Sequence, residues 1–128
     1  MGNKNFNLKN EFEKSFIENE IKDSSRLKQK NFSGDNYIGE LKRDKKHGFG
    51  LLEKKDGTKY KGYFFDDKFD GEGKILYKDN SVYIGFWKEG KLHGEGILYY
   101  KDKKINLNYI NGKRVDTSLV NQITPNFN

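Results

Sequence analysis

No cysteine occurs among the 128 residues. That excludes disulfides and thiolate chemistry, and makes a reducing compartment the simpler expectation. Long apolar runs are missing as well. No stretch approaches the roughly 18 apolar residues of a membrane span. The N-terminus also lacks the apolar centre of a secretory signal, so the expectation is an intracellular protein that is not secreted. The single proline, Pro125, stands near the C-terminal end and limits regular structure only there. Hydrophobic residues make up 33% of the chain, a small share for a globular core, whereas aromatics reach 15%. The interior should therefore be built from aromatic layers rather than from an aliphatic globule. At this length one domain with flanking segments fits, and a second large core does not.

One pattern recurs three times at a spacing of 23 residues: YIGELKRDKKHGFGLLEKKDGTK, YKGYFFDDKFDGEGKILYKDNSV and YIGFWKEGKLHGEGILYYKDKKI. Tyr37, Tyr60 and Tyr83 share a column, followed by Gly39, Gly62 and Gly85. Leu41, Phe64 and Trp87 form an apolar column, and Gly48/Gly50, Gly71/Gly73 and Gly94/Gly96 mark the second half of each unit. An eroded fourth copy is read from Asn106, with Asn108 in the glycine column and Ile110 in the apolar one. A fixed period of this kind determines architecture before any single residue does.

Each unit begins with strict alternation. Tyr37, Gly39 and Leu41 face one side, and Ile38 and Glu40 face the other, which is the strand signature. A polar turn over residues 43–47 leads to a second alternating segment, and Asp56-Gly57 reads as a tight type I′ hairpin turn. Asp79-Asn80 and Asp102-Lys103 are its weaker equivalents. The expected fold is all-β: an elongated antiparallel meander of β-hairpin repeats with two strands per unit, advancing about 10 Å per repeat. Both glycine columns are expected to leave room for rings from neighbouring strands. The chain divides into an N-terminal extension (1–36), the repeat sheet (37–113) and a C-terminal arm (114–128).

These columns, with six of them recurring in phase from Tyr37 to about Ile105, resemble MORN repeats (membrane occupation and recognition nexus). Three features depart from that pattern. Leu41 replaces the usual aromatic, Asp70 stands where His47 and His93 stand in the flanking copies, and the fourth copy lacks its tyrosine and first glycine. The resemblance implies a module of cytoskeletal, ciliary or membrane-apposed complexes.

The extension reads as an amphipathic helix from about Glu11 to Lys28. Asn10 and Glu13 have capping-box spacing, and Phe12, Phe16, Ile17 and Ile21 follow helical periodicity. Such a helix is marginal alone, so its apolar stripe should dock on the repeats or on a partner. Gly2 is placed for N-myristoylation, although position 6 holds Phe6 where Ser or Thr is favoured. The arm carries Val115, Leu119, Val120, Ile123 and Phe127 among polar residues and reads as a short helix or extended segment.

Chemistry-bearing constellations are few. His47 and His93 precede turn glycines without an acidic or thiol companion in step, and a turn role is expected of both. Gly85 to Lys91 has the G-x-x-x-x-G-K spacing, yet Leu92 follows where Ser or Thr would bind magnesium, and the motif lies between two strands rather than opening a helix. The cluster Asp66, Asp67, Asp70 and Glu72 lacks an EF-hand's ligand spacing, since Lys68 and Tyr77 occupy ligand positions. No nucleophile–base pair emerges, so the expectation is a protein that is not an enzyme, with no cofactor and no metal.

Two surfaces remain. Opposite the tyrosine face lie Ile38, Ile84 and the partner-binding candidates Phe49, Leu51, Tyr63, Phe65, Leu76, Phe86, Ile97 and Tyr99, too apolar for a solvated face. The net charge of +6 sits mostly in residues 37–113. Its turn lysines Lys45, Lys46, Lys54, Lys55, Lys101, Lys103 and Lys104 are candidates for acidic lipid or acidic protein surfaces. The expected function is a scaffold or accessory subunit that contacts one or more proteins of a larger assembly. The alternative is a membrane-surface adaptor that uses basic turns, with or without a lipid on Gly2. Nucleic acid is not the expected partner.

Overall fold

The structure, a computed structural model, describes residues 26–116. Gly2, the helix expected over Glu11–Lys28 as far as Ser25, and the arm from residue 117 onward lie outside the described residues. Ten strands follow one another: β1 (Lys28–Phe32), β2 (Asp35–Lys42), β3 (Lys45–Glu53), β4 (Lys59–Phe65), β5 (Lys68–Leu76), β6 (Val82–Lys88), β7 (Lys91–Leu92), β8 (Gly94–Tyr100), β9 (Lys103–Ile110) and β10 (Lys113–Arg114). They form one antiparallel sheet in the order β1-β2-β3-β4-β5-β6-β8-β9-β10, with β7 paired to β6. This is the expected all-β meander. It begins earlier than the expected boundary, because Lys28, placed at the end of a helix, opens β1. That strand pairs with β2, from Lys28 opposite Gly39 to Phe32 opposite Asp35.

One face of the sheet carries the repeat columns. The ring of Tyr60 runs along its own strand over Gly62 and across to Gly73, its partner on β5. Its hydroxyl donates to the Tyr63 carbonyl at 2.9 Å. The Tyr37 hydroxyl donates likewise to the Glu40 carbonyl at 2.7 Å. A Cβ on Gly73 would stand 2.6 Å from Tyr60 Cζ, and one on Gly50 2.6 Å from Tyr37 Cζ. Here the glycines are absent side chains that rings occupy. The rings then interlock: Phe64 lies edge-on between Tyr37 (5.3 Å) and Tyr60 (5.1 Å), and Trp87 between Tyr60 (5.3 Å) and Tyr83 (5.7 Å). Phe69 stacks flat on Tyr60 at 3.8 Å. Edge-to-face contacts each add about 0.5–1.5 kcal/mol beyond area burial, so the ladder couples every repeat to the next.

The other glycine column has a different cause. Gly48, Gly71 and Gly94 have φ of 75°, 107° and 88°, a left-handed conformation that side chains disfavour. They sit where the strand pairing skips, for example between the Gly39–Gly50 and Leu41–Lys46 pairs. This irregularity aims the hairpin tips.

The turns are assigned the other way round from the sequence expectation. Two consecutive positive φ values, the type I′ signature, occur at Ser33-Gly34, Arg43-Asp44, Asp66-Asp67, Glu89-Gly90, Lys101-Asp102 and Asn111-Gly112. Gly57 has positive φ and Asp56 does not. Lys54 and Thr58 instead close a longer loop, in which Gly57 N donates to Lys54 O at 2.9 Å. An Asp-Gly pair serves that loop as readily as a type I′ turn, so the dipeptide alone did not discriminate.

The fourth copy also shifts. Gly96 pairs with Leu107, the place Gly62 and Gly85 hold opposite Gly50 and Gly73. The two-residue turn at Lys101-Asp102 is shorter than the loops that end the first two units. Tyr109, not Ile110, therefore takes the apolar column, edge-on to Tyr83 at 5.9 Å, and Ile110 faces solvent.

Candidate interaction surface

Pairing places the reverse-face residues in straight rows across the strands. One row runs Ile38–Leu51–Lys61–Lys74–Ile84–Ile97–Asn106. A second runs Lys59–Leu76–Val82–Tyr99–Lys104. A third brings Phe49 opposite Tyr63, their rings 5.7 Å apart and edge-on, and Phe86 opposite Glu72.

The expected partner-binding residues thus share one face but differ in access. Phe65 and Phe86 are exposed, at 59% and 50% of their surface. Leu51, Tyr63, Ile97 and Tyr99 are half-buried. Phe49 and Leu76 are buried, which removes them from the accessible set. Alternation assigns a residue to a face but is silent on what covers that face. The same face holds two buried cations that the sequence reading did not single out, Lys61 and Lys74. No signal marked them beyond their odd position in an otherwise apolar row.

Around Phe86 a groove of about 540 Å³ runs over β6, β8 and β9, with Ile84, Phe86 and Ile97 as its apolar floor. Glu72 and Glu95 stand on its rim and Asn106 and Asn108 at its far side. Phe65 lies elsewhere, in a smaller hollow of about 260 Å³ with Lys42, Arg43, Lys45 and His47, its ring 5.0 Å from that of His47. A third cleft, about 600 Å³, opens on the tyrosine face beside Tyr77, Tyr83 and Tyr109. It lies where the eroded fourth copy supplies no further tyrosine. Burial pushes the Tyr83 hydroxyl up to about 12, with Tyr109 and Tyr77 adding to the shift. Tyr77 is raised by the same desolvation, and then by Tyr109 and Asp79.

The turn lysines are split between the two ends of the sheet. Lys54, Lys55, Lys101, Lys103 and Lys104 are exposed at one end of the sheet. Asp56, Asp79 and Asp102 stand among them. Asp56 is held below the usual carboxylate range by the Thr58 backbone N–H, and Asp79 by the Ser81 side chain and backbone. Lys45 stands at the opposite end, 3.2 Å from Asp66. Lys46 is a correction: only 9% of it is exposed. Its ammonium lies 3.6 Å from Asp67 and 4.0 Å from the centre of the Phe32 ring, so it is a structural cation and not a surface one.

Two members of the histidine column hold turns together. His93 Nδ1 accepts the Asn111 N–H at 3.1 Å, and Asp70 accepts the Glu89 N–H at 3.0 Å. Each reaches the type I′ turn of the next unit, which explains how Asp and His can share a column. Among the described residues no group of three or more His, Cys, Asp or Glu could hold a metal ion, and no helix is long and apolar enough to cross a membrane.

The family model of the MORN repeat matches residues 37–59, 60–82 and 83–104, more than half of the chain. The third match ends where the shortened turn delivers the chain to β9. No curated protein matches the sequence.

Proposed function

The chain belongs to the MORN-repeat family, and from that premise we propose that it is a non-enzymatic interaction module. In this reading it is an accessory subunit that holds a protein partner within a larger intracellular assembly. The observation that carries the reading is Phe86, half exposed above the groove floored by Ile84 and Ile97. Aromatic rings at the centre of a desolvated patch contribute most to protein association. Removing the remaining exposed area of one such ring from water is worth about 1–2 kcal/mol. With Glu72 and Glu95 on the rim, the complementary surface is an apolar side chain flanked by lysine or arginine. The non-catalytic reading is supported by His93 and Asp70, each of which gives one acceptor atom to a turn N–H group.

The membrane-surface alternative draws less support. Of its lysines, Lys46 is buried, Lys45 pairs with Asp66 at the far end of the sheet, and the five that share an end stand among Asp56, Asp79 and Asp102.

The test compares the full chain with Phe86→Asp as bait in affinity purification from the native source, read by mass spectrometry. A stoichiometric protein recovered with the first and lost with the second, at unchanged circular dichroism, supports the module. Equal recovery by both baits, or a monodisperse monomer with no stoichiometric partner, overturns it.

A further inference from the structure

In the first two units the fold occupies the tyrosine hydroxyl. Tyr37 donates to the Glu40 carbonyl and Tyr60 to the Tyr63 carbonyl. The third unit departs from this. Tyr83 lays its ring over Gly85 and Gly96 as its counterparts do over theirs, and only 2% of it is exposed. Its hydroxyl nevertheless makes no hydrogen bond among the described residues, and desolvation raises it without one. No side-chain polar atom that is sealed from solvent lacks a partner there. The Tyr83 hydroxyl therefore reaches solvent, and the open space that Tyr83 lines is the cleft of about 600 Å³ on the tyrosine face.

The rest of that cleft is of one chemical kind. Tyr77 and Tyr109 flank Tyr83, and Leu98 and Leu107 supply an apolar floor. Asp56 and Asp79 bring carboxylates to it. Thr58 N–H holds the first at 2.8 Å and Ser81 N–H the second at 2.9 Å. These bonds favour the ionised form of both acids. Neither acid forms an ion pair among the described residues. With Lys78 as the one cation of the lining, the cleft keeps an excess of one negative charge.

We propose that this cleft is a second binding site, one that takes an arginine side chain of a protein partner. Tyrosine rings attract a cation over their faces, and a planar guanidinium stacks on them while its N–H groups reach out in the plane. Neutral tyrosine hydroxyls and ionised carboxylates are acceptors for those N–H groups. The aliphatic stem of arginine suits the leucine floor. An anion would meet Asp56 and Asp79, and a purely apolar group would leave the Tyr83 hydroxyl without a partner, at the cost of an unsatisfied buried donor. The site stands independently of the Phe86 groove, which opens on the reverse face.

The test titrates acetyl-Ala-Arg-Ala-amide into the full chain and follows the ring signals by NMR. Saturable shifts are expected at Tyr77, Tyr83 and Tyr109, with a Kd of about 1–10 mM, as suits a single side chain. The same peptide with citrulline, uncharged and of the same shape, should bind about tenfold more weakly or worse. Asp56→Asn/Asp79→Asn should weaken the arginine peptide about fivefold or more, since asparagine keeps the turn bonds to Thr58 and Ser81 but not the charge.

No saturable shift up to about 50 mM peptide, or equal binding of the citrulline peptide, overturns the proposal. Shifts centred on Phe86 overturn it as well, because the peptide then occupies the other groove. Tetramethylammonium, which carries charge but no N–H, overturns the guanidinium assignment if it binds more tightly than the arginine peptide. The citrulline comparison needs no variant, so it decides even where the double substitution fails to fold.

Discussion

Replacing Gly73 by alanine adds one methyl group to a strand, and ordinary propensity would count that as neutral or favourable. The structure implies the opposite. The new Cβ would lie 2.6 Å from Tyr60 Cζ and 2.7 Å from Cε2, where carbon atoms need well over 3 Å. The ring has no direction in which to retreat. It is stacked on Phe69 at 3.8 Å, crossed by Phe64 and Trp87, and tied through its hydroxyl to the Tyr63 carbonyl. Overpacking a closed site costs about 1–3 kcal/mol, and the strained hydroxyl bond adds about 1 kcal/mol. The entropy that alanine removes from the unfolded chain returns about 0.4–1 kcal/mol. The net expectation is a loss of about 2–3 kcal/mol, read as a drop of about 2 M in the urea midpoint for a sheet of this size. Trp87 fluorescence is the natural probe, because its ring touches Tyr60. Gly57→Ala is the comparison. No atom lies within 4 Å of its added methyl and only its φ of 93° resists, so it should cost about 1 kcal/mol. Repeating Gly73→Ala in a Tyr60→Leu background should recover about 1–2 kcal/mol of coupling. Additive costs in that cycle would refute the claim that the glycine exists for the ring.

Three further outcomes follow. His93→Ala should lose the cap on the Asn111 N–H and about 1 kcal/mol, whereas His93→Asp, copying Asp70, should lose little; equal thermal shifts would contradict the shared capping role. Tyr37, Tyr60 and Tyr83 are all raised chiefly by burial, Tyr83 from 10.0 to about 12. The fold keeps the neutral hydroxyls, so their contribution is whole below pH 10.0 and lost as pH rises through the folded values. Tyrosinate absorbance should therefore show a late group of tyrosines that ionises together with unfolding; a single simple titration near pH 10.0 would contradict it. Acidic vesicles at low salt should retain little of the chain, since the exposed lysines are interleaved with aspartates; flotation that is strong at low salt and abolished by salt would restore the lipid reading.

Much of the architecture was legible because packing and period coincide. A tyrosine must find a bare strand two residues on and another across the ladder, so Tyr and Gly recur in phase and announce the sheet. The turns were misassigned because Asp-Gly satisfies two hairpin geometries, and the strand register selects between them. Asp44 and Asp67 accept left-handed φ without glycine, which is why Arg43-Asp44 and Asp66-Asp67 gave no comparable signal. The last copy was misplaced by one residue because a fixed period cannot show a shortened turn. Lys46 looked like its neighbour Lys45, yet only the fold brings Asp67 and Phe32 to it. Access to the reverse face was the least legible property of all, since period-two alternation is identical for a face in water and a face under cover.

The two faces obey different constraints. On the tyrosine face each ring touches the next unit, so the cost of one substitution spreads along the ladder and leaves little room for variation. On the reverse face side chains meet in smaller groups, Phe49 with Tyr63 and Leu76 with Val82, and among the described residues no ring ladder links one unit to the next. Lys61 stands in one column with Ile38 and Ile84, and Glu40, Tyr63 and Phe86 all differ in another. Columns that vary while the fold repeats are where this chain can carry information specific to itself. It follows that Phe86→Asp should leave urea stability within about 0.5 kcal/mol while Gly73→Ala does not. A variant pair with the reverse ranking would place the structural work on the face argued to be free.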